Sequence, residues 1–178
     1  RAFFNMEKLV LVTRPLEQAR NVAAEITTLG AKPVILPLLN IHPVPVDFQT
    51  SQKPDALVLT SAQAVAGITF PSDWCGIPVF CVGDATEGAA RRAGFVNCIT
   101  GQGGVEEILT CIKEKCPEGC SVLYLCGDIV RKDLKEALPG YSVTAVVTYR
   151  ADAVETLSAD AVAEFRRIHT VTLFSPRT

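Results

Sequence analysis

The chain has 178 residues, of which 48% are hydrophobic and 20% are charged, a composition that predicts a packed core and excludes a disordered chain. Its net charge is −2 with scattered basic residues, so no basic stripe points to nucleic acid as a partner. No apolar run approaches the roughly 18 residues of a membrane span, and no signal-peptide core stands at the N-terminus. We therefore expect a soluble cytoplasmic protein, with no membrane partner, whose fold starts at Met6.

The residue types that hold metals and cofactors form no recognisable motif. The seven cysteines are odd in number and include no CxxC pair, so we interpret them as buried reduced thiols. Both histidines, His42 and His169, lie beside extended apolar segments. Neither GxGxxG nor a P-loop pattern occurs, and we interpret the Gly101–Gly104 turn as a flexible surface loop without a strand-to-helix phosphate signature. We expect no metal and no cofactor.

Short apolar runs alternate along the chain with stretches of helical spacing. The predicted strands are Lys8–Val12, Ala31–Leu36, Asp55–Thr60, Pro78–Val82, Val96–Ile99, Ser121–Leu125, Ser142–Tyr149 and Val171–Phe174. The predicted helices are Leu16–Leu29, one opening at Ser61–Gly67, Glu87–Ala93, Val105–Ile112, Val130–Leu138 and Ala159–Arg167. This alternation predicts parallel sheets with right-handed crossovers, a doubly wound α/β fold. Pro37, Pro43 and Pro45 exclude their segment from a sheet interior, so an edge strand or an interdomain crossing is expected there.

Five loops after predicted strands share small hydroxyl or glycine residues. They are Thr13-Arg14-Pro15, Thr60-Ser61-Ala62, Gly83-Asp84-Ala85-Thr86, Cys126-Gly127-Asp128 and Ser175-Pro176-Arg177. Ligands of open α/β sheets bind beyond the carboxyl ends of the strands, where helix N-termini favour anions. Any one of these hydroxyls can instead be a simple N-cap. Caps alone do not require Gly83 and Gly127, which permit close backbone approach, so together the loops predict an anion-binding cleft for carboxylates or phosphates.

Tyr149 follows Val143–Thr148 at the end of a predicted strand, where the chain would cross back between lobes. A phenol at the end of this strand can donate a proton or a hydrogen bond to a ligand. The other interpretation is a half-buried aromatic residue whose hydroxyl faces solvent, and the residues alone leave both open.

Six short motifs, taken in order, resemble the uroporphyrinogen-III synthase family. They are Val10-Leu-Val-Thr-Arg-Pro15, Asp55-Ala-Leu-Val-Leu-Thr-Ser61, Val82-Gly-Asp-Ala-Thr86, Leu125-Cys-Gly-Asp128, Val147-Thr-Tyr-Arg150 and Leu173-Phe-Ser-Pro176. Each motif is short, but their order and spacing cover nearly the whole chain.

The resemblance implies two flavodoxin-like parallel-sheet domains joined by a two-stranded antiparallel linker. On this sequence, domain 1 would be residues 6–38 plus 150–178, domain 2 residues 45–146, and the linker strands 39–44 and 147–149. The family continues past its Phe-Ser-Pro strand with a further strand, a loop and a closing helix. The C-terminal part of domain 1 is therefore expected to be missing here, or disordered.

The resemblance also implies a cofactor-independent lyase of tetrapyrrole (haem) biosynthesis. Members take hydroxymethylbilane, a linear tetrapyrrole polycarboxylate, and remove its terminal hydroxyl as water. They then invert the last ring through a proposed spiro intermediate and close the macrocycle to uroporphyrinogen III. Catalysis of this kind depends on holding a flexible chain in a closing geometry and excluding water.

The motif match assigns expected roles to individual residues. Tyr149 corresponds to the family's tyrosine suspected of helping the hydroxyl to leave, and is the expected catalytic residue. The expected substrate-binding residues are Thr13, Arg14, Thr60, Ser61, Gly83, Thr86, Gly127, Asp128 and Ser175. A monomer is expected. The alternative function is a non-catalytic two-lobed small-molecule binding or sensor module, since a fold does not fix a function.

Overall fold

A computed structural model describes residues 8–130, 132–157 and 159–173. The strands are β1 (Leu9–Val12), β2 (Lys32–Ile35), β3 (Leu39–Pro43), β4 (Ala56–Leu59), β5 (Val79–Val82), β6 (Cys98–Gly101), β7 (Ser121–Gly127), β8 (Ser142–Ala153) and β9 (Thr170–Thr172). The α-helices are α1 (Leu16–Thr28), α2 (Asp84–Arg92), α3 (Val105–Lys115), α4 (Leu134–Ala137) and α5 (Ala159–Phe165). Short 3₁₀ helices lie at Ala62–Val65 and Ser72–Trp74. Within the described ranges, no helix is long and apolar enough to span a membrane.

The chain divides into two compact units. The first unit is formed by Arg1–Ile41 and Ala151–Thr178, and the second by His42–Arg150. β3 and β8 each run through a boundary between the units. The neighbouring strands β1–β2, β1–β9, β4–β5, β4–β7, β5–β6 and β7–β8 all pair in parallel. The prediction of an α/β protein built on parallel sheets is confirmed.

The first unit contains a three-stranded sheet in the order β2-β1-β9. Helix α1 follows β1 and presents Ala19 and Ile26 to a small buried cluster that includes Val12. These positions recur at helical spacing, so one face of α1 covers the sheet while the other faces solvent. The helix ends at Thr28 with Leu29 as its C-cap, and Gly30 follows with φ 77°, a conformation that glycine adopts readily.

The second unit has a core on both faces of its sheet, whose strand order is β3-β8-β7-β4-β5-β6. Side chains of a strand alternate between the faces. Leu57 and Leu59 therefore enter the cluster with Trp74, whereas Val58 enters the cluster with Ile112. This two-sided burial explains why the central strands read as continuous apolar runs.

Several elements differ in extent from their predictions. β7 continues through Cys126 and Gly127, and β8 continues to Ala153 instead of ending at Tyr149. The helix predicted at Val130–Leu138 is the single turn α4, because Asp133 caps it by accepting a hydrogen bond from Lys135 N at 2.8 Å. Asp84-Ala85-Thr86, predicted as loop, form the first turn of α2. Only a 3₁₀ turn follows Ser61.

The interpretation of the Gly101–Gly104 turn was wrong in one respect. β6 ends at Gly101 and α3 begins at Val105, so a strand does lead through this turn into a helix. Gly104 precedes the helix with φ 84°, which explains the glycine. The strand was predicted at Val96–Ile99 from its apolar residues, but β6 lies two residues later, at Cys98–Gly101.

The cysteines are free thiols. Cys81, Cys116 and Cys126 are buried, and the other four are partly exposed. The predicted burial is therefore right for three of them.

Candidate functional site

Strand register brings several predicted residues to one edge of the second unit. Leu59 of β4 lies opposite both Cys81 of β5 and Leu125 of β7. The strands are parallel, so their carboxyl ends meet at the same level. The residues at or just beyond that level include Thr60, Ser61, Gly83, Gly127 and Tyr149. We call this set the carboxyl-end edge.

Thr60 and Ser61 carry the hydroxyls that follow β4. Thr60 Oγ1 lies 3.1 Å from the phenol oxygen of Tyr124. Ser61 precedes a 3₁₀ helix, and its Oγ accepts a hydrogen bond from Gln63 N at 3.3 Å. Both residues are partly exposed. An oxygen that accepts a hydrogen bond keeps its own proton, so Ser61 can still donate to an anion.

Gly127 and Tyr149 lie side by side because of a bulge. Cys126 pairs with Val147, but Gly127 pairs with Tyr149, so Thr148 is the extra residue. An added Cβ on Gly127 would lie 2.8 Å from Tyr149 Cζ and 3.0 Å from its Oη. The phenol therefore occupies the space over the glycine, where any side chain would collide with it.

Asp128 follows Gly127 and is exposed. Its backbone N–H donates to the carbonyl of Tyr149 at 3.1 Å, which ties the end of β7 to β8. The carboxylate can only accept hydrogen bonds when ionised. It suits an N–H group of a ligand better than another carboxylate.

Gly83 and Thr86 have different surroundings, although the same loop was predicted for both. Gly83 precedes α2 with φ 77°, a conformation that favours glycine. Thr86 lies within the first turn of α2 and its side chain is only 4% exposed. The structure therefore places Gly83 at the carboxyl-end edge and Thr86 against the core.

The turn after β6 is occupied by a carboxylate of the chain itself. Glu107 accepts the backbone N–H of Gly103 at 2.6 Å. Asp84 accepts from Gln102 at 2.5 Å across the same region. Because acidic side chains already use these donors, this turn is unsuited to a ligand anion.

Thr13 and Arg14 follow β1 in the first unit. The Thr13 side chain is fully buried, and its hydroxyl donates to the carbonyl of Thr172 at 2.8 Å. A hydroxyl has one proton, so this bond leaves Thr13 none to offer an anion. Arg14 is partly exposed. Ser175 lies outside the described residues.

Burial sets the ionisation of the hydroxyl and thiol groups beneath the carboxyl-end edge. Burial raises the pKa of Tyr124, and the bond with Thr60 lowers it to a smaller extent. Burial also raises the pKa of the Cys126 thiol. Tyr124 therefore stays protonated, and Cys126 stays a thiol, throughout the neutral range.

Sequence reasoning missed Tyr124. Its position in the middle of an apolar run, Ser121–Leu125, indicates a core residue, and most of the ring is indeed core. The available signal was its polar hydroxyl on a strand next to Thr60. The bulge at Thr148 left no comparable signal in the sequence.

The fold and this edge define the class of protein: an α/β protein with parallel sheets and a polar carboxyl-end edge in its second unit. A sequence profile of the family described as uroporphyrinogen-III synthase HemD matches residues 20–178. The chain belongs to the uroporphyrinogen-III synthase family.

Solved structures of similar fold are also found. A mutant uroporphyrinogen III synthase from Thermus thermophilus superposes with a TM-score of 0.56 at 19% identity, covering 83% of this chain and 64% of that one. Uroporphyrinogen-III synthetase from Helicobacter pylori gives 0.55 at 18% identity, covering 89% of this chain and 68% of that one. These likenesses establish the fold. The chain spans less than two thirds of the Thermus protein, and no curated protein sequence matches it.

Proposed function

We propose that this protein is a uroporphyrinogen-III synthase, which converts hydroxymethylbilane to uroporphyrinogen III. The observation that carries the proposal is the family match over residues 20–178. It is supported by a carboxyl-end edge on which hydroxyl donors, glycines and one phenol lie together. The reaction is a dehydration followed by inversion of the last ring and closure of the macrocycle, with no cofactor.

Substrate carboxylates would be held by neutral donors on this edge. Thr60 and Ser61 offer hydroxyl protons, and Gly83 brings backbone close to the ligand without a side chain in the way. Neutral donors are compatible with the chain's net charge of −2, because binding does not depend on a fixed cluster of cations. We keep Thr86 in the predicted set only as support for α2, since it is buried.

Tyr149 is the proposed catalytic residue. As the terminal hydroxyl of the substrate leaves as water, the leaving oxygen needs a proton or a hydrogen bond. The Tyr149 phenol is partly exposed above Gly127, where it can donate one. Asp128, as an acceptor, would take a pyrrole N–H of the same substrate.

Two flavodoxin-like domains joined by an antiparallel linker form the proposed architecture. Val44 N donates to the carbonyl of Thr148 at 2.8 Å, and Val154 N donates to that of Leu38 at 3.0 Å. Residue numbers decrease from 44 to 38 on one segment as they increase from 148 to 154 on the other. This supports antiparallel pairing of β3 with the later part of β8. The domain limits of residues 6–38 plus 150–178 and 45–146 remain predictions from the sequence. So do a monomeric state, cytoplasmic localisation, and Arg14 and Ser175 as ligands. We keep Thr13 in the predicted set only as support for the end of β1, since it gives its proton to the Thr172 carbonyl.

An isomer assay tests the proposal. Hydroxymethylbilane is generated enzymatically in the presence of the chain, and the oxidised products are separated into type III and type I uroporphyrin. We expect type III to dominate, whereas a reaction without the chain gives type I by spontaneous closure. Type I alone, from a chain of correct intact mass and folded circular dichroism, would reject the synthase and favour the non-catalytic binding or sensor module.

A further inference from the structure

Tyr124 and Thr60 form a hydroxyl pair that connects the core to the carboxyl-end edge. Tyr124 of β7 lies opposite Val58 of β4, and Thr60, two residues further on, is on the same face as Val58. The phenol oxygen lies 3.1 Å from Thr60 Oγ1. Tyr124 is 5% exposed, whereas Thr60 is partly exposed. The pair therefore joins a buried hydroxyl to one that a ligand can reach.

The chemistry of a bound carboxylate determines which member donates. A hydroxyl has one proton to donate and two lone pairs to accept with. A carboxylate only accepts, so Thr60 must direct its single proton at the carboxylate to bind it. The proton in the bond between the pair then has to come from Tyr124.

We propose that Tyr124 is a positioning residue whose buried phenol donates to Thr60 and thereby directs the Thr60 proton toward a substrate carboxylate. This inference rests on the proposed function, because it takes the ligand to be a polycarboxylate. Tyr124 itself does not contact the substrate.

Two further observations support this direction of the bond. Burial raises the pKa of Tyr124, so the phenol keeps the proton that it must donate. Its ring is also buried in the cluster that contains Val58 and Leu134. A donor that is already in place spares Thr60 a rearrangement on binding.

Binding of uroporphyrin III, the stable oxidised product, tests the proposal through its dissociation constant, measured by titration. Tyr124→Phe should weaken binding about two- to tenfold, as expected for one hydrogen bond. The matched control is Tyr141→Phe. Tyr141 is partly buried and packs against the same core cluster, and its hydroxyl donates to the Cys116 carbonyl at 3.0 Å. The control should bind like the wild type, with both variants folded by circular dichroism.

A double-mutant cycle with Thr60→Val separates positioning from a general structural effect. Thr60→Val should weaken binding by at least as much, and adding Tyr124→Phe to it should cost nothing more. In turnover assays, Tyr124→Phe should raise KM by the same factor and leave kcat nearly unchanged.

The outcomes are distinct. Three results would overturn the positioning role. Tyr124→Phe could bind as tightly as wild type, or the double variant could lose affinity by the full factor of both single variants. The third result is a wild-type chain that does not bind uroporphyrin III. A chain that binds with the predicted coupling but releases only type I product would reject the proposed function and leave the positioning role intact.

Discussion

Tyr149 occupies the space that a side chain on Gly127 would need. The clash falls on the outer part of a partly exposed ring, at 2.8 Å from Cζ. Gly127→Ala should therefore displace the phenol and leave the sheet in place, at a stability cost of about 1 kcal/mol. We expect kcat to fall at least as far as in a variant that lacks the Tyr149 hydroxyl.

Gly76→Ala is the matched control, because no atom lies within 4 Å of an added Cβ at Gly76. It should keep full activity in the isomer assay. Normal activity of Gly127→Ala, with the displacement verified by a crystal structure, would contradict the role given to the phenol.

Tyr149→Phe removes only the hydroxyl. If that group assists departure of the substrate hydroxyl, kcat should fall about tenfold with KM little changed, since the ring and the bulge remain. Steady-state kinetics with hydroxymethylbilane measures both constants. A rise in KM alone would indicate that the phenol binds substrate without assisting the chemistry.

At the level of single residues, sequence reasoning identified the residue types at strand ends but not their surroundings. Ser61 and Gly83 lie at the carboxyl-end edge as their positions suggested. Thr86 is buried, because the helix begins two residues before it. Whether a hydroxyl faces a ligand or the core depends on such small shifts, which a single sequence does not reveal.

Asp55 connects the starts of two neighbouring elements, β4 and β7. Its carboxylate accepts both the backbone N–H and the hydroxyl of Ser121, each at 2.8 Å. Both bonds lower the pKa of Asp55 below its ordinary value of 3.8, and the bond from the Ser121 backbone has the larger effect. A carboxyl with a lowered pKa stabilises the folded state above that ordinary value, and this contribution is lost as the pH falls through the lowered one.

Asp55→Asn should consequently lower the midpoint of thermal unfolding at pH 7, and the difference from wild type should shrink as the pH falls below about 4. Unfolding followed by circular dichroism across this range measures it. The same substitution in a Ser121→Ala background should cost less, because one of the two bonds is already absent. A difference that stays constant down to about pH 2, below the carboxyl range, would contradict the account.

At the level of elements, the alternation of strands and helices was predictable because apolar spacing reports burial directly. The bulge at Thr148 and the extension of β8 to Ala153 were not predictable, since they arise from pairing with distant strands. The position of Tyr149 over Gly127 depends on that bulge.

For the whole molecule, family membership identifies the reaction to test, and the second unit provides a surface on which to locate it. The chain spans 64% of the Thermus synthase, so the proposal of function rests on the family match and on the edge of one unit. The neutral donors there are the physical reason to expect a polycarboxylate at this edge. At the turn after β6, the Glu107 carboxylate accepts the Gly103 N–H and should keep such a ligand away from β6.

The most direct test is to map where uroporphyrin III binds, using amide resonances of the ¹⁵N-labelled chain. The account predicts shifts of Ser61, Gly83 and Asp128 at the carboxyl ends of the strands. It predicts none of Asp55 and Ser121 at the opposite ends of β4 and β7. Shifts confined to Asp55 and Ser121, or no shifts at uroporphyrin III concentrations well above its dissociation constant, would contradict the carboxyl-end edge as the substrate site.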